Sequence, residues 1–166
     1  MKTERTLVLI KPDGVERGLV GQILSRFEQV GLKLIGLRLL RVDEEFASRH
    51  YTEDIAKRRG QHIRDLMIEM LSTGPVVAMV LEGIEAIELV RKMVGPTEPK
   101  AAAPGTIRGD FAHMSYSWGD THKVGIKNVI HASSSGEDAA SEISLWFAES
   151  DLVEYQTVYQ HHIEGR

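Results

Sequence analysis

Four apolar runs of strand length alternate along this chain with stretches in which apolar residues recur every three or four positions. The runs occupy residues 6–10, 32–42, 76–81 and 129–131. Such runs predict buried β-strands, and the wider spacing predicts amphipathic helices. The run at 32–42 is apolar enough to be covered on both faces. Two strand–helix–strand units joined through helices predict a ferredoxin-like α/β sandwich (βαββαβ), with a four-stranded antiparallel sheet and helices on one of its faces.

Helical spacing and capping residues indicate where the helices begin and end. The predicted helices cover residues 19–30, 43–51, 63–71, 84–94 and 139–147. Asp43 and Ser135 are the expected N-caps of the second and last of these. The apolar stripe of the 63–71 helix is more typical of a core than of a ligand site. Residues 56–62 are polar and basic and predict a loop, while 95–109 and 112–127 predict long irregular segments, which are usually functional or disordered.

Composition narrows the class of protein. The 166 residues are enough for a single domain, and 42% hydrophobic with 27% charged residues is typical of a globular protein. A formal net charge of -4 argues against non-specific binding to nucleic acid. The absence of cysteine excludes disulfides and cysteine metal sites. No run approaches membrane-spanning length and no secretory signal begins the chain, so a cytoplasmic protein without membrane contact is expected.

A histidine ends the fourth predicted strand, shortly before the Ser135 cap. His131 would have a fixed backbone beside a helix N-terminus, which favours anions. A neutral imidazole there is able to attack phosphorus and carry the phosphoryl group, although a lone histidine at a strand end is more often structural. Lys11 suits a solvated strand end or a phosphate contact equally well. Arg91 suits either the helix macrodipole or a ligand, and Tyr51 either the core or the surface.

Four motifs decide between these alternatives, because they occur together and in one order. They are Leu-Val-Leu-Ile-Lys-Pro-Asp-Gly at 7–14, Thr-Gly-Pro-Val-Val-Ala-Met-Val at 73–80, Pro-Gly-Thr-Ile-Arg-Gly-Asp-Phe at 104–111 and Asn-Val-Ile-His-Ala-Ser at 128–133. With these motifs the chain resembles the nucleoside diphosphate kinase family from about residue 4 to residue 155. The resemblance implies ping-pong transfer of the terminal phosphoryl group of a nucleoside triphosphate, typically ATP, to a nucleoside diphosphate. The implied intermediate is a phosphohistidine on His131.

The resemblance also implies roles for residues around the nucleophile. Ser133 matches a serine that assists the transfer, Glu142 the carboxylate that orients the imidazole, and Tyr51 the family's active-site tyrosine. Implied phosphate and ribose contacts fall on Lys11, Arg91, Thr97, Arg108 and Asn128. Phosphoryl transfer needs positioning and positive charge, which lysine and arginine supply. The implied cofactor is Mg²⁺, held mainly through nucleotide phosphates and water, without a protein ligand.

The chain departs from the family pattern in three places. Ile63 and its neighbours stand where the family commonly has an aromatic residue that stacks on the base, which leaves Ile63 to make an apolar contact and His62 to stack. The segment between Asp110 and Asn128 is longer than in the common short form and is expected to be a surface insertion. Ser134 stands where an aspartate is usual. These departures concern nucleotide preference rather than the reaction.

The end of the chain is relevant to assembly. A single domain over 1–166 is expected, with a tail at 148–166 that packs on the domain or on a neighbouring subunit. Family members form hexamers or tetramers built from dimers, and the apolar residues at 152–159 fit an interface arm. The expected partners are nucleoside di- and triphosphates and further copies of the chain, with no specific nucleic acid.

Three other functions would share part of this pattern. A non-catalytic nucleotide-binding or assembly homologue predicts damaged motifs, and the motifs are intact. A histidine phosphocarrier would not need the matched set of basic residues. A ferredoxin-like RNA-binding module would carry exposed aromatics on its strands and a basic face, whereas these strands are aliphatic and the net charge is negative.

Overall fold

An antiparallel sheet of four strands runs through the part of the chain that the computed structural model describes, residues 3–165. The strands are β1 (Thr3–Ile10), β2 (Lys33–Arg41), β3 (Pro75–Ile84) and β4 (Ile130–Ala132). They lie in the order β2-β3-β1-β4, so that β1 is central and pairs with β3 along its whole length. The short strand β4 pairs with the end of β1 and brings His131 opposite Leu9. This order and pairing confirm the predicted ferredoxin-like class.

Helices connect the strands and follow the predicted pattern closely. They are α1 (Pro12–Glu16), α2 (Val20–Gln29), α3 (Glu44–His50), α4 (Glu53–Arg59), α5 (Gln61–Ser72), α6 (Ala86–Val94), α7 (Ile107–Phe111), α8 (Tyr116–His122), α9 (Gly136–Trp146) and α10 (Val158–Glu164), with 3-10 turns at Pro99–Ala101 and Glu149–Asp151. Both predicted N-caps are confirmed. The Asp43 side chain accepts the Phe46 N–H at 2.8 Å, and the Ser135 hydroxyl accepts the Asp138 N–H at 3.1 Å.

Helices cover both faces of the sheet, so the expectation of a single covered face was wrong. On one face Val8 packs with Phe27 of α2 and Val90 of α6. On the other face Leu9 packs with Trp146 of α9 and with residues of α3 and α5. A strand that is apolar at every position shows no alternation, because both of its faces are buried. The run at 6–10 therefore already carried this information.

Strand β2 is less buried than its sequence suggested. Leu37 and Leu39 keep 50% and 69% of their surface exposed. The strand is apolar, but it lies at the edge of the sheet beyond β3, where helices cover only its first half. The prediction that both of its faces are covered was therefore wrong for residues 37–39.

All three segments predicted to be a loop or irregular contain helical residues. Segment 95–109 holds the 3-10 turn at Pro99–Ala101 and the start of α7. Residues 56–59 belong to α4, and the break before α5 is Gly60 alone, which has a φ of +94°. Acidic residues in the first turn and basic residues in the last turn suit the macrodipole of α4, although few of its side chains are apolar. Segment 112–127 contains α8, whose N-cap Ser115 accepts the Trp118 N–H at 3.2 Å.

The chain after α9 runs back along β2. The Val153 N–H donates to the Ile35 carbonyl at 2.8 Å, and the Tyr155 hydroxyl donates to the Leu34 carbonyl at 2.8 Å. Leu152 packs on the core beneath them. Packing of the tail on a neighbouring subunit stays a prediction. Within residues 3–165, no helix combines the length and the apolar character that crossing a membrane requires.

Candidate active site

The turn after β1 holds the backbone that leads into His131. The Lys11 N–H donates to the Val129 carbonyl at 2.8 Å, and Asp13 accepts the Val129 N–H at 2.9 Å. These two bonds keep Val129 at a φ of +70°, a left-handed conformation that β-branched residues rarely adopt. A Cβ on Gly14 would lie 2.9 Å from a Val129 methyl, so only glycine fits against it. The Lys-Pro-Asp-Gly turn thus fixes the path of the chain two residues before His131.

Helix α9 brings a carboxylate to the imidazole of His131. Nε2 of His131 lies 2.9 Å from Oε1 of Glu142, and the Ser133 hydroxyl donates to Oε2 at 2.6 Å. Burial raises the pKa of the Glu142 carboxyl. The hydrogen bond from His131, the charge of His131 and the hydrogen bond from Ser133 together lower that pKa by more, so it lies below the ordinary value. Because an ionised carboxylate only accepts hydrogen bonds, Nε2 carries the proton of the neutral ring. Nδ1 of His131 is then the nitrogen with a free lone pair.

A second histidine lies against His131 and was not among the predicted site residues. The rings of His50 and His131 meet edge to face, with centroids 4.7 Å apart. Trp146 donates its indole N–H to Nδ1 of His50 at 3.3 Å. Burial, with a smaller effect of His131, lowers the pKa of His50 to about 3, so this ring is neutral. The sequence signal that could have identified His50 is that it directly precedes Tyr51, a predicted site residue. The apolar pattern of the helix gives no such indication.

The three side chains His50, His131 and Glu142 bring potential metal ligands within 4.8 Å of one another. A metal ligand must be deprotonated at its donor atom. The bond from Trp146 puts the proton of neutral His50 on Nε2, and both oxygens of Glu142 already accept hydrogen bonds. Glu142 thus holds His131 by a hydrogen bond and His50 packs edge to face on its ring, and we assign no metal ion to the trio.

Lys11 lies beside His131 with only 6% of its surface exposed. Its ammonium donates to the Ile126 carbonyl at 3.4 Å. Burial lowers the pKa of Lys11 to about 8, and nearby Arg108 adds to this while Asp13 opposes it. A buried cation whose charge is only partly compensated is well suited to bind an anion.

Arg108 is anchored by three backbone carbonyls on two segments of the chain. Its guanidinium donates to Ile130 at 2.6 Å, to Gly95 at 2.9 Å and to Asn128 at 3.4 Å. Burial, followed by the charge of Arg91, lowers the pKa of Arg108 to about 10. The Arg91 side chain is exposed and projects from α6 into the same space. These cations concentrate positive potential at one end of the site.

Asn128 has an acceptor that lacks a partner. Its Nδ2 donates to the Thr97 carbonyl at 2.8 Å, whereas its Oδ1 is buried and accepts no hydrogen bond from the described residues. Buried polar atoms in proteins nearly always have a partner, so an unpaired one suits a ligand donor. Tyr51 is also buried, and burial first and Glu142 second raise the pKa of its hydroxyl, which therefore stays protonated.

A cavity of about 970 Å³ joins these groups, a size typical of small-molecule sites. The predicted residues that line it are Lys11, Tyr51, Ile63, Arg91, Thr97, Arg108, Asn128 and His131. Ser133 is fully buried and lies with Glu142 behind His131. Ser134 lines the cavity, and its hydroxyl donates to the Asp138 carboxylate.

Two walls of this cavity differ from the expectations. Leu66, Met67 and Met70 of α5 line it together with Ile63, so much of the stripe predicted to be core faces the site. Leu71 does lie in the core, and Met67 packs against it as well. The insertion, residues 112–127, is mostly exposed, as expected, but part of it also lines the cavity. Periodicity identifies an apolar face but does not say whether protein or a cavity lies opposite to it.

The comparisons with known proteins agree with this geometry. The family model for nucleoside diphosphate kinase matches residues 4–152. This chain belongs to the nucleoside diphosphate kinase family. It is 46% identical to the nucleoside diphosphate kinase of Borreliella burgdorferi over 94% of both chains, and 51% identical to that of Pyrococcus horikoshii over 93% of this chain and 91% of the relative.

Solved structures of the family superpose closely on the chain. A transition-state mimic of the nucleoside-diphosphate kinase from Borrelia burgdorferi, with bound vanadate and ADP, has a TM-score of 0.94, 44% identity and 96% coverage of both chains. An NDP kinase from Pyrobaculum aerophilum has a TM-score of 0.86 and 34% identity, covering 92% of this chain and 100% of its own. These matches confirm the predicted family, fold and enzyme class.

Proposed function

We propose that the chain transfers the terminal phosphoryl group of a nucleoside triphosphate, typically ATP, to a nucleoside diphosphate through a phosphohistidine on His131. The observation that carries this proposal is the bond between Nε2 of His131 and Glu142, which leaves Nδ1 as the free nitrogen of a ring that lines the cavity. The vanadate and ADP held by the Borrelia relative support the same chemistry.

Neither half-reaction needs an external base, because the attacking nitrogen of His131 is already unprotonated. The lone pair on Nδ1 of His131 forms a bond to the terminal phosphorus, while the bond from that phosphorus to the bridging oxygen breaks and its electrons leave with the nucleoside diphosphate. The imidazole becomes positively charged, and the ionised Glu142 stabilises this charge through Nε2. Ser133 holds the second carboxylate oxygen and thus the orientation of Glu142. A second nucleoside diphosphate takes the phosphoryl group by the reverse step.

The remaining predicted residues are proposed to bind the nucleotide. Lys11, Arg91 and Arg108 bring positive charge to the phosphates, which is what phosphoryl transfer requires of a protein. The unpaired Oδ1 of Asn128 suits a ribose hydroxyl donor. We assign Thr97 and Tyr51 to the phosphate and ribose region of the cavity, and Ile63 to an apolar contact with the base.

Mg²⁺ is proposed to enter as part of the nucleotide substrate. Asp13 and Glu142, the carboxylates next to the nucleophile, accept hydrogen bonds from Val129, His131 and Ser133. Lys11, Arg91 and Arg108, the side chains assigned to the phosphates, are cationic and do not ligate a divalent cation. The ion is therefore held by phosphate oxygens and water, as Mg²⁺ commonly is in nucleotide sites.

The chain is also proposed to form a homo-oligomer, a hexamer or tetramer built from dimers. The tail hydrogen-bonds to β2 at Leu34 and Ile35, but further along this edge strand Leu37 and Leu39 are exposed. The tail itself exposes Val153 and Val158. An exposed edge strand is normally paired or protected. Sedimentation that shows only monomer at micromolar concentration would contradict this. A cytoplasmic location stays a prediction from the sequence.

The decisive experiment is intact-protein mass spectrometry after brief incubation with ATP and Mg²⁺. We expect wild type to gain one acid-labile phosphoryl group that GDP discharges. His131→Ala should gain none, whereas His122→Ala, which changes a histidine outside the cavity lining, should behave as wild type. Gain without discharge to a nucleoside diphosphate would favour a phosphocarrier. No gain in wild type would favour a binding-only homologue.

A further inference from the structure

The insertion, residues 112–127, is a fixed wall of the cavity. A Cβ on Gly125 would lie 1.9 Å from the sulfur of Met70, so the insertion packs directly on α5. The Met114 carbonyl accepts the Lys100 N–H at 3.1 Å, which ties the start of the insertion to the 3-10 turn at Pro99–Ala101. Contacts at both ends hold the short helix α8 in place.

The two aromatic residues at the start of α8 face different surroundings. Tyr116 lines the cavity, and Glu98 fixes its backbone by accepting its N–H at 2.8 Å. Trp118 does not line the cavity. It is 57% exposed and stacks on His122, with ring centroids 3.9 Å apart. Only Tyr116 is therefore presented to a ligand.

Helix α5 brings one aromatic ring to the cavity, the small and polar imidazole of His62. Its other cavity-lining residues, Ile63, Leu66, Met67 and Met70, are aliphatic or thioether. A nucleoside base offers a planar π-face, and an aromatic ring is the side chain that matches it best. Tyr116 lines the cavity and has no role in the proposed phosphoryl transfer, so its ring is available to a base.

Tyr116 also shares the cavity with the phosphate-binding end. Tyr116 and Arg108 line the same cavity of about 970 Å³. A ligand whose phosphates contact Arg108 therefore has the Tyr116 ring available to its nucleoside within that cavity.

We infer that Tyr116 is a nucleotide-contacting residue whose ring supplies a large aromatic face for the nucleoside, in addition to the imidazole of His62 on α5. This inference rests on the proposed function and adds a binding role for the insertion. Stacking on an aromatic ring tolerates every base, because each has a π-face. The contact thus strengthens binding of nucleotides in general and does not select one base.

The test compares three variants by binding of ADP, GDP and CDP and of inorganic pyrophosphate, which lacks the nucleoside. Tyr116→Ala should raise the Kd of all three nucleotides about five- to a hundredfold, the range that alanine substitution of a base-stacking aromatic produces. Its Kd for pyrophosphate should match wild type. Tyr116→Phe, which keeps the ring, should bind as wild type. Trp118→Ala, on the same helix but away from the cavity, is the matched control.

Several outcomes would overturn the inference. Equal Kd values for Tyr116→Ala and Trp118→Ala would show that the ring makes no contact. Equal weakening in Tyr116→Ala and Tyr116→Phe would assign the contact to the hydroxyl instead of the ring. Tyr116→Leu, which keeps apolar volume, should bind nucleotides weakly even if the alanine variant does not fold, and wild-type affinity in it would also refute the role. Failure of wild type to accept a phosphoryl group from ATP would contradict the proposed function and leave these binding results interpretable.

Discussion

Raising the pH from 7.5 to 9 should weaken nucleotide binding through one group, Lys11. Its pKa of about 8 in the empty site means that the ammonium loses its proton within this range. If the phosphates bind only the charged form, the Kd rises about tenfold for each pH unit above 8. Arg108, with a pKa of about 10, stays charged throughout. The nucleotide contributes little change, because its terminal phosphate is already ionised at the start.

Folding stability should change with pH in the opposite direction. The pKa of Lys11 is about 8 in the folded protein and 10.5 as the reference for an unfolded chain, so between these values the unfolded state binds more protons. The free energy of unfolding then rises with pH across this window by about 1.4 kcal/mol per unit, or about 3 kcal/mol in total. Below pH 8 the folded state bears the whole cost of the buried ammonium.

Isothermal titration with ADP and urea unfolding of the empty protein, both from pH 7.5 to 9, would measure the two effects. Lys11→Arg is the control, because arginine keeps its charge over the whole range. Its affinity for ADP should vary less with pH than that of wild type, and its stability should lack the rise. Parallel slopes for wild type and Lys11→Arg in both measurements would refute the assignment of this titration to Lys11.

Three further substitutions test the site and its support. Glu142→Gln should slow phosphorylation by ATP about ten- to hundredfold with little change in KM, because a hydrogen bond to a charged group is lost. Glu137→Gln on the same helix should react as wild type. Equal rates for the two variants would refute the role of Glu142. Gly14→Ala should lower the free energy of unfolding by about 1–3 kcal/mol, since its Cβ would meet a buried methyl at 2.7 Å. Gly21→Ala, with open space around it, should be neutral or stabilising when thermal unfolding of the two variants is compared. Ile63→Phe should tighten nucleotide binding by adding aromatic area to α5, and an unchanged KM would contradict this.

Local signals predicted most of the fold. The apolar runs at 6–10 and 76–81 became β1 and β3, and Asp43 and Ser135 cap their helices as expected. Caps and buried strands depend on residues close together in the chain, so they are readable there. Exposure along β2 could not be predicted from the sequence, because it depends on the strand's place at the edge of the sheet.

The site was predictable in part. Motif positions identified residues such as Lys11, Arg108 and His131, and the cavity brings them together. His50 was missed as a neighbour of the nucleophile, because α3 meets β4 only in the folded chain. The facing of α5 toward a cavity was missed as well, since a hydrophobic stripe is the same for a core and for a ligand wall.

By itself, the sequence determined the strand and helix pattern, the family and the chemical types of the groups available for phosphoryl transfer. Only the tertiary structure decided which nitrogen of His131 is free, that Lys11 is buried enough to lower its pKa, and that the insertion presents Tyr116 to the cavity. The physical reason is that proton placement, desolvation and cavity walls depend on contacts between segments far apart in the chain, while capping and periodicity depend on neighbours.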